Sequence, residues 1–311
     1  MSYLIGAIPP PPFRGLSIGP LDIRMYGILI AFGAFLALRL TVQRYERFGG
    51  DGDVAEKAGL LALLFGFLGA RIGYVIPRFL GPGGFIERPG DILAIWQGGL
   101  AFFGGLTGGA LAVIIYVRIK RADLPAMLDA FAPALPLAQA IGRWGNYFNQ
   151  ELFGRPTNVV WALRVDPVPA RTAQQFPGAT TFHPTFLYES LWNAVLVLVL
   201  LWVDRAGILK RRGSLLFIYL IGYGIGRAWI ETLRVDTIER YLGLSRNNWI
   251  AIAVILIGVV GLSWWEKRVE PDEIPEATAP EQPISPAEAP VDDQRDGSTS
   301  NGDSDASDDA D

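Results

Sequence analysis

The chain contains no cysteine and a single histidine, and only 19% of its 311 residues are charged. The first absence excludes disulfides, a thiolate metal site and a cysteine nucleophile of the chain's own, so any thiol in its chemistry has to come from a substrate. The second leaves His183 as the one side chain whose ordinary pKa lies near neutrality. The third excludes an ordinary soluble domain of this length: 50% of the residues are hydrophobic, and they gather in repeated runs close to the roughly 20 residues needed to cross hydrocarbon. The amino-terminal stretch carries Pro9 to Pro12 instead of a short apolar run with a basic start and a small-residue cleavage site, so no removable signal peptide is expected and the first span serves as the targeting signal. No convincing internal repeat of the transporter kind is present.

What is there reads as an all-α integral membrane protein. Apolar runs predict about seven transmembrane helices, over residues 21–42, 58–76, 98–117, 127–148, 185–203, 214–233 and 248–265. Pro133 and Pro136 interrupt the fourth, which is expected to be broken or kinked. Charge divides along the chain: up to Trp265 there are 24 Lys and Arg against 16 Asp and Glu, and from Glu266 onward 3 against 15. The basic part, residues 1–268, is expected to be the transmembrane catalytic domain. Residues 269–311, rich in Pro, Ala, Ser and Asp, lack the apolar side chains that offset ordering entropy and are expected to form a disordered acidic tail.

Orientation follows from lysine and arginine in short loops, which favour the cytoplasm. Arg44, Arg47 and Lys57, then Arg118, Lys120 and Arg121, then Arg205, Lys210, Arg211 and Arg212, and finally Lys267 and Arg268 fall on alternate loops and therefore on one side. With that side inside, the amino terminus is outside and the acidic tail cytoplasmic. Residues 155–182, with their Pro, Gln and Thr, suit a folded outer-side loop region.

Polar clusters sit at helix ends, and span counting puts all of them on the outer side: Tyr26; Arg71 and Arg78; Gln97; Arg143 through Glu151; His183 and Glu189; Arg227, Glu231 and Arg234. The densest is Gly142-Arg143-Trp144-Gly145-Asn146-Tyr147-Phe148-Asn149-Gln150-Glu151-Leu152-Phe153-Gly154. Glycines admit close backbone approach, while arginine, asparagine and glutamate are costly in hydrocarbon unless they face a wet cavity or one another. A structural pair of Arg143 with Glu151 is the plain alternative to a ligand site, and Asn146 and Asn149 suit interhelical hydrogen bonds as well as ligand contact. Further along, Glu231 lies four residues after Arg227 and three before Arg234, so all three share a helical face. Guanidinium forks suit phosphate; a self-satisfied surface pair is the alternative. His183 before Pro184 reads first as a helix-entry residue, and Tyr26 equally as an interfacial aromatic or a site residue.

These residues resemble the bacterial prolipoprotein diacylglyceryl transferases. The run from Gly142 to Gly154 is similar to that family's signature of Gly-Arg-x-Gly-Asn followed by Asn, Glu and Gly at fixed spacing. Supporting matches are Tyr26-Gly27, Gly69-Ala70-Arg71-Ile72-Gly73-Tyr74, Gly98-Gly99 with Gly104-Gly105, His183-Pro184 with Leu187-Tyr188-Glu189, and Ile221-Gly222-Tyr223-Gly224 leading to Arg227 and Glu231. The resemblance implies transfer of a diacylglyceryl group from phosphatidylglycerol to the lipobox cysteine of a prolipoprotein signal peptide, on the outer side of the bacterial cytoplasmic membrane, with release of glycerol phosphate. It implies that Arg143 and Arg227 bind phosphate, that Glu151 and Glu231 orient them, and that Tyr26, Asn146, Asn149, Gly154, Tyr223 and His183 belong to the catalytic and lipid-binding site. Implied partners are phosphatidylglycerol, the signal peptide and membrane lipid, with no nucleic acid, cofactor or metal. Phe103 stands where some relatives carry a histidine proposed as a base. A multi-pass lipid or solute transporter is the rival; it predicts polar residues throughout the bilayer depth.

Overall fold

The computed structural model describes residues 6–18, 21–79, 89–94, 98–235 and 240–267. The acidic tail and Gln97 lie outside them. Seven long helices account for most of the described chain: α1 (Met25–Arg47), α2 (Gly52–Val75), α3 (Phe102–Ile119), α4 (Leu124–Asn149), then, after the short α5 (Ala170–Gln175), α6 (Thr185–Arg205), α7 (Ser214–Leu233) and α8 (Arg246–Lys267). Short antiparallel strand pairs flank some of them: β1 (Gly15–Ile18) with β2 (Leu21–Arg24), β3 (Leu163–Arg164) with β4 (Thr181–Phe182), and β5 (Arg240–Tyr241) with β6 (Leu244–Ser245). Six helices are long and apolar enough to cross a membrane, which makes this a multi-pass membrane protein; α7, diluted by Arg227, Glu231 and its glycines, is not among the six. Its 20 residues nevertheless run the length of the bundle, about 30 Å at helical rise.

Two sequence expectations shift. The first helix starts at Met25 and not at residue 21, because the alternating Leu21-Asp22-Ile23-Arg24 pairs with β1, Gly15 opposite Arg24. The fourth helix is not broken: α4 continues through Pro133 and Pro136, both buried among its neighbours. Asp123 caps its start by accepting from the Ala126 N–H at 3.0 Å.

Helix α4 is central and packs on α1, α6 and α7, while α7 packs on α8. On the other flank α2 and α3 meet along glycine. A Cβ on Gly69 would strike the Gly104 carbonyl, and one on Gly73 would lie 3.0 Å from the Gly104 Cα. Backbones at such distance admit no side chain between them.

One end of the bundle is closed by charge. Asp129 in α4 is buried and accepts from the backbone N–H groups of Gly213 at 2.7 Å and Leu215 at 2.9 Å, satisfying donors at the start of α7. Arg44 at the end of α1 reaches Asp204 in α6 at 3.0 Å and donates to the Asp129 carbonyl at 3.2 Å. Asp129→Ala strands two buried donors and is expected to cost about 2–4 kcal/mol of stability, read as a lowered unfolding temperature in detergent. An unchanged transition would show that the cap is dispensable.

Candidate active site

At the opposite end charge pairing runs through three helices. Arg143, near the end of α4, places its Nε 2.7 Å from Glu189 Oε2 near the start of α6. The other Glu189 oxygen is 3.9 Å from Arg234 at the end of α7, and Arg234 Nε is 3.9 Å from Glu231 Oε2. Glu231 in turn holds Arg227 at 2.7 Å. Arg143, Glu189, Arg234, Glu231 and Arg227 thus alternate in sign along one line. The carboxylates and Arg234 are at most 7% exposed, whereas Arg143 keeps 24% of its side chain accessible and Arg227 16%. The end members alone retain donor surface for a ligand; the middle of the line is sealed. Buried charges of this kind persist only when paired, and here every one is.

The signature run fills in around Arg143. Asn146, buried, accepts from the Arg143 guanidinium at 3.4 Å and donates to Glu151 Oε1 at 2.9 Å, which also accepts from Asn149 Nδ2 at 3.1 Å. Glu151 makes no ion pair with Arg143 among the described residues; Glu189 holds Arg143, and Glu151 reaches it through the Asn146 amide. The cause is the helix end. Gln150 stops α4 in the left-handed region at φ 52° and is itself anchored, donating to the Arg164 carbonyl at 3.1 Å and accepting from the Asp166 N–H at 3.0 Å. Tyr26 lies over Gly145, where any Cβ would collide with its ring, so that glycine admits the first helix to the site.

Gly154 and His183 occupy a seam beside the charges. The Gly154 N–H donates to the His183 carbonyl at 2.9 Å, and a Cβ on Gly154 would meet His183 Cβ at 2.7 Å and the Leu233 carbonyl at 3.0 Å. His183 Nδ1 is 3.1 Å from the Tyr188 hydroxyl. Burial lowers the imidazole pKa below its ordinary value. Tyr223 sits one turn before Arg227 on α7, its ring 5.9 Å from that of Tyr219. Arg71 spends its donors on a loop, reaching the carbonyls of Ile92, Gly98 and Gly99 at 2.8, 2.7 and 2.9 Å. Both glycines have positive φ, 88° and 82°.

Residues 15–264 match the family model described as prolipoprotein diacylglyceryl transferase. The chain belongs to that family. Curated relatives named phosphatidylglycerol–prolipoprotein diacylglyceryl transferase include one from Frankia alni, 41% identical over 88% of this chain and 71% of the relative. Others are from Streptomyces griseus, 39% identical over 90% and 84%, and from Synechococcus elongatus, 40% identical over 83% and 90%. As a diacylglyceryl transferase of this family the chain has Phe103 near the start of α3, exposed and edge-on to Phe102 at 5.5 Å.

Some pairings along the charged line are not legible in the sequence. Glu189 was visible as a carboxylate at a helix start, but nothing in the chain's order ties it to Arg143. Ser245 and Asn247, at the β6–α8 junction, donate to Glu231 Oε1 at 3.3 and 2.8 Å, fixing which oxygen is left for the arginines. Asn247→Ala is expected to lower the transfer rate by about tenfold, the worth of one hydrogen bond to a charged group, while Ser245 keeps the carboxylate in place. Rates equal to wild type would remove Asn247 from the site.

Proposed function

We infer that this enzyme transfers the diacylglyceryl group of phosphatidylglycerol to a prolipoprotein. The observation that carries the reading is the charged line with accessible guanidiniums at its two ends, Arg143 and Arg227, each held at 2.7 Å by a buried carboxylate. A phosphodiester is a fitting ligand for such a pair, since each fork can bond two phosphate oxygens while its remaining N–H stays on its carboxylate.

The acceptor is the thiol of a lipobox cysteine in a signal peptide; the chain offers no thiol of its own. The thiol, with an ordinary pKa of about 8.5, loses its proton to water more readily in a positive field. Its sulfur forms a bond to the glyceryl carbon as the bond from that carbon to the phosphate oxygen breaks. The electron pair leaves with that oxygen, so glycerol phosphate departs and a thioether remains. Arg143 and Arg227 stabilise the charge that grows on the phosphate, commonly the largest catalytic contribution. Tyr26, Asn146, Glu151 and Asn149 hold the Arg143 side of the site, Glu231 and Tyr223 the Arg227 side, and Gly154 with His183 the seam between α6 and α7. Phe103 cannot take a proton, so it is not the base.

The basic loops at the Asp129 end favour the cytoplasm, which puts the arginines on the outer side of the bacterial cytoplasmic membrane, the amino terminus outside and residues 269–311 inside as a separate acidic tail. The deciding experiment presents the protein with phosphatidylglycerol and a lipobox peptide, and a matched peptide with serine for cysteine. Diacylglyceryl mass added to the cysteine peptide alone is the expected result. Modification of neither, with folded protein, would overturn the reading.

A further inference from the structure

Helix α1 carries an arginine that neither the transfer step nor the packing of the bundle uses. Arg39 lies about two turns, roughly 12 Å, inside the Arg47 end of this span, among Phe35, Leu36, Leu38 and Leu40. The buried residues of α1, Gly33, Thr41, Arg44 and Tyr45, mark its packed side. Arg39 projects the other way, in a helical file with Ile28, Phe32 and Phe35, which are 37%, 51% and 57% exposed. It is exposed itself, and among the described residues no hydrogen bond, ion pair or ring contact reaches it. Arg44 is the contrast: it is buried, with Asp204 at 3.0 Å and the Asp129 carbonyl at 3.2 Å.

A guanidinium keeps its charge at any accessible pH, and on the outer face of a membrane span it meets acyl chains. Charge there persists only with an opposite charge or with reach to the headgroups. Snorkelling is hindered for Arg39. Side chains leave a helix tilted toward its amino terminus, which in α1 points away from the nearer interface. The headgroup therefore comes to the arginine. Gln43, exposed one turn nearer the interface, adds an amide donor on the same strip. A second transmembrane helix is the poorer occupant, because Ile28, Phe32, Phe35, Arg39 and Gln43 include none of the small residues that let backbones approach. The glycine of α1 faces elsewhere: a Cβ on Gly33 would stand 3.1 Å from the Ala138 carbonyl of α4.

We propose that the Arg39 face of α1 binds one phospholipid of the leaflet at the Asp129 end, with its phosphate on Arg39 and Gln43 and an acyl chain along Phe35, Phe32 and Ile28. The phosphate is the group the site demands. The headgroup alcohol faces water, so phosphatidylethanolamine serves as well as an anionic lipid. This lipid is not consumed: it sits at the end of the bundle away from Arg143 and Arg227, and it supplies the counter-charge that the packed helices withhold from Arg39. The inference depends on α1 crossing a bilayer and not on the transfer reaction.

Full-length protein, stripped of lipid in a neutral detergent, is titrated with phosphatidylethanolamine or with phosphate-free diacylglycerol, and bound lipid and thermal unfolding are followed. Phosphatidylethanolamine is expected to bind the wild type about tenfold or more tightly than Arg39→Leu and to raise the unfolding temperature of the wild type alone. Arg39→Lys should keep part of both effects, and diacylglycerol should give neither. Without lipid, Arg39→Leu should be as stable as the wild type, and in phosphatidylglycerol vesicles it should retain transfer to the cysteine peptide. Equal affinity of the wild type and Arg39→Leu for phosphatidylethanolamine overturns the site, as does equal stabilisation by diacylglycerol. An Arg39→Leu protein already destabilised in lipid-free detergent would return the arginine to the fold, and a wild-type dimer that this substitution splits would give the face to a second copy; either result overturns the proposal. Absence of transfer in the wild type would count against the reaction and leave the lipid titration to decide this site.

Discussion

Lysine in place of Arg143 or Arg227 is expected to leave a folded membrane protein whose transfer rate is lower by about 100- to 1000-fold. Both arginines do two things at once. Arg143 keeps Nε on Glu189 and Arg227 keeps a terminal nitrogen on Glu231, each at 2.7 Å, while the rest of each fork stays accessible. A lysine ammonium retains the charge but concentrates its donors at one point, so it satisfies the carboxylate or the phosphate and not both in fixed geometry. The measurement is initial rate with the cysteine peptide beside thermal unfolding in the same detergent. Wild-type rates in both variants would dispose of the arginine clamp; a collapsed unfolding temperature would move the residues from chemistry to architecture.

Removal of Glu189 is expected to do more damage than removal of either arginine. Its two oxygens face Arg143 and Arg234 from a position 6% exposed, so Glu189→Ala leaves Arg143 without its carboxylate and takes away one of the two carboxylates beside Arg234. Breaking a buried pair from one side typically costs about 3–5 kcal/mol, and here the loss also frees Arg143 to turn from its ligand-facing position. Transfer should fall with stability. Glu189→Gln, which keeps the shape and one acceptor, should recover part of the stability while transfer stays low. An alanine variant as stable as wild type would mean that the two arginines find other partners, and that the line of alternating charge is not what organises this end of the bundle.

The helices were legible because hydrocarbon imposes one demand on every span, and apolar runs answer it directly: all seven long helices fall on expected segments. The errors lie where another demand competes. Residues 21–24 alternate and join a hairpin, and Pro133 and Pro136 stay within α4 because packed neighbours hold the helix where its own hydrogen bonds are interrupted. In the site, the arginines were legible as charges in the wrong solvent, and Glu231 as the partner of Arg227 through helical spacing. The partner of Arg143 was not. Nearness in the chain favours Glu151, but the left-handed Gln150 turns the backbone there, and the carboxylate that arrives comes from α6. Ser245 and Asn247 lie in an unremarkable polar junction and become meaningful only once α8 packs against α7. Pairings made by helical period can be read along a chain; those made by tertiary packing cannot.

The glycine contact between α2 and α3 also has a mechanical meaning. With Gly69 set against Gly104, and the Gly108 Cα 3.1 Å from where a Gly69 Cβ would stand, a slip of even one residue would drive Leu68 or Ala70 into the opposing backbone. The two helices therefore cannot ratchet past each other; they form a single stiff plank. A ligand as bulky as a two-tailed lipid has to make its room along the plank's edges, where side chains can yield, and never down its middle.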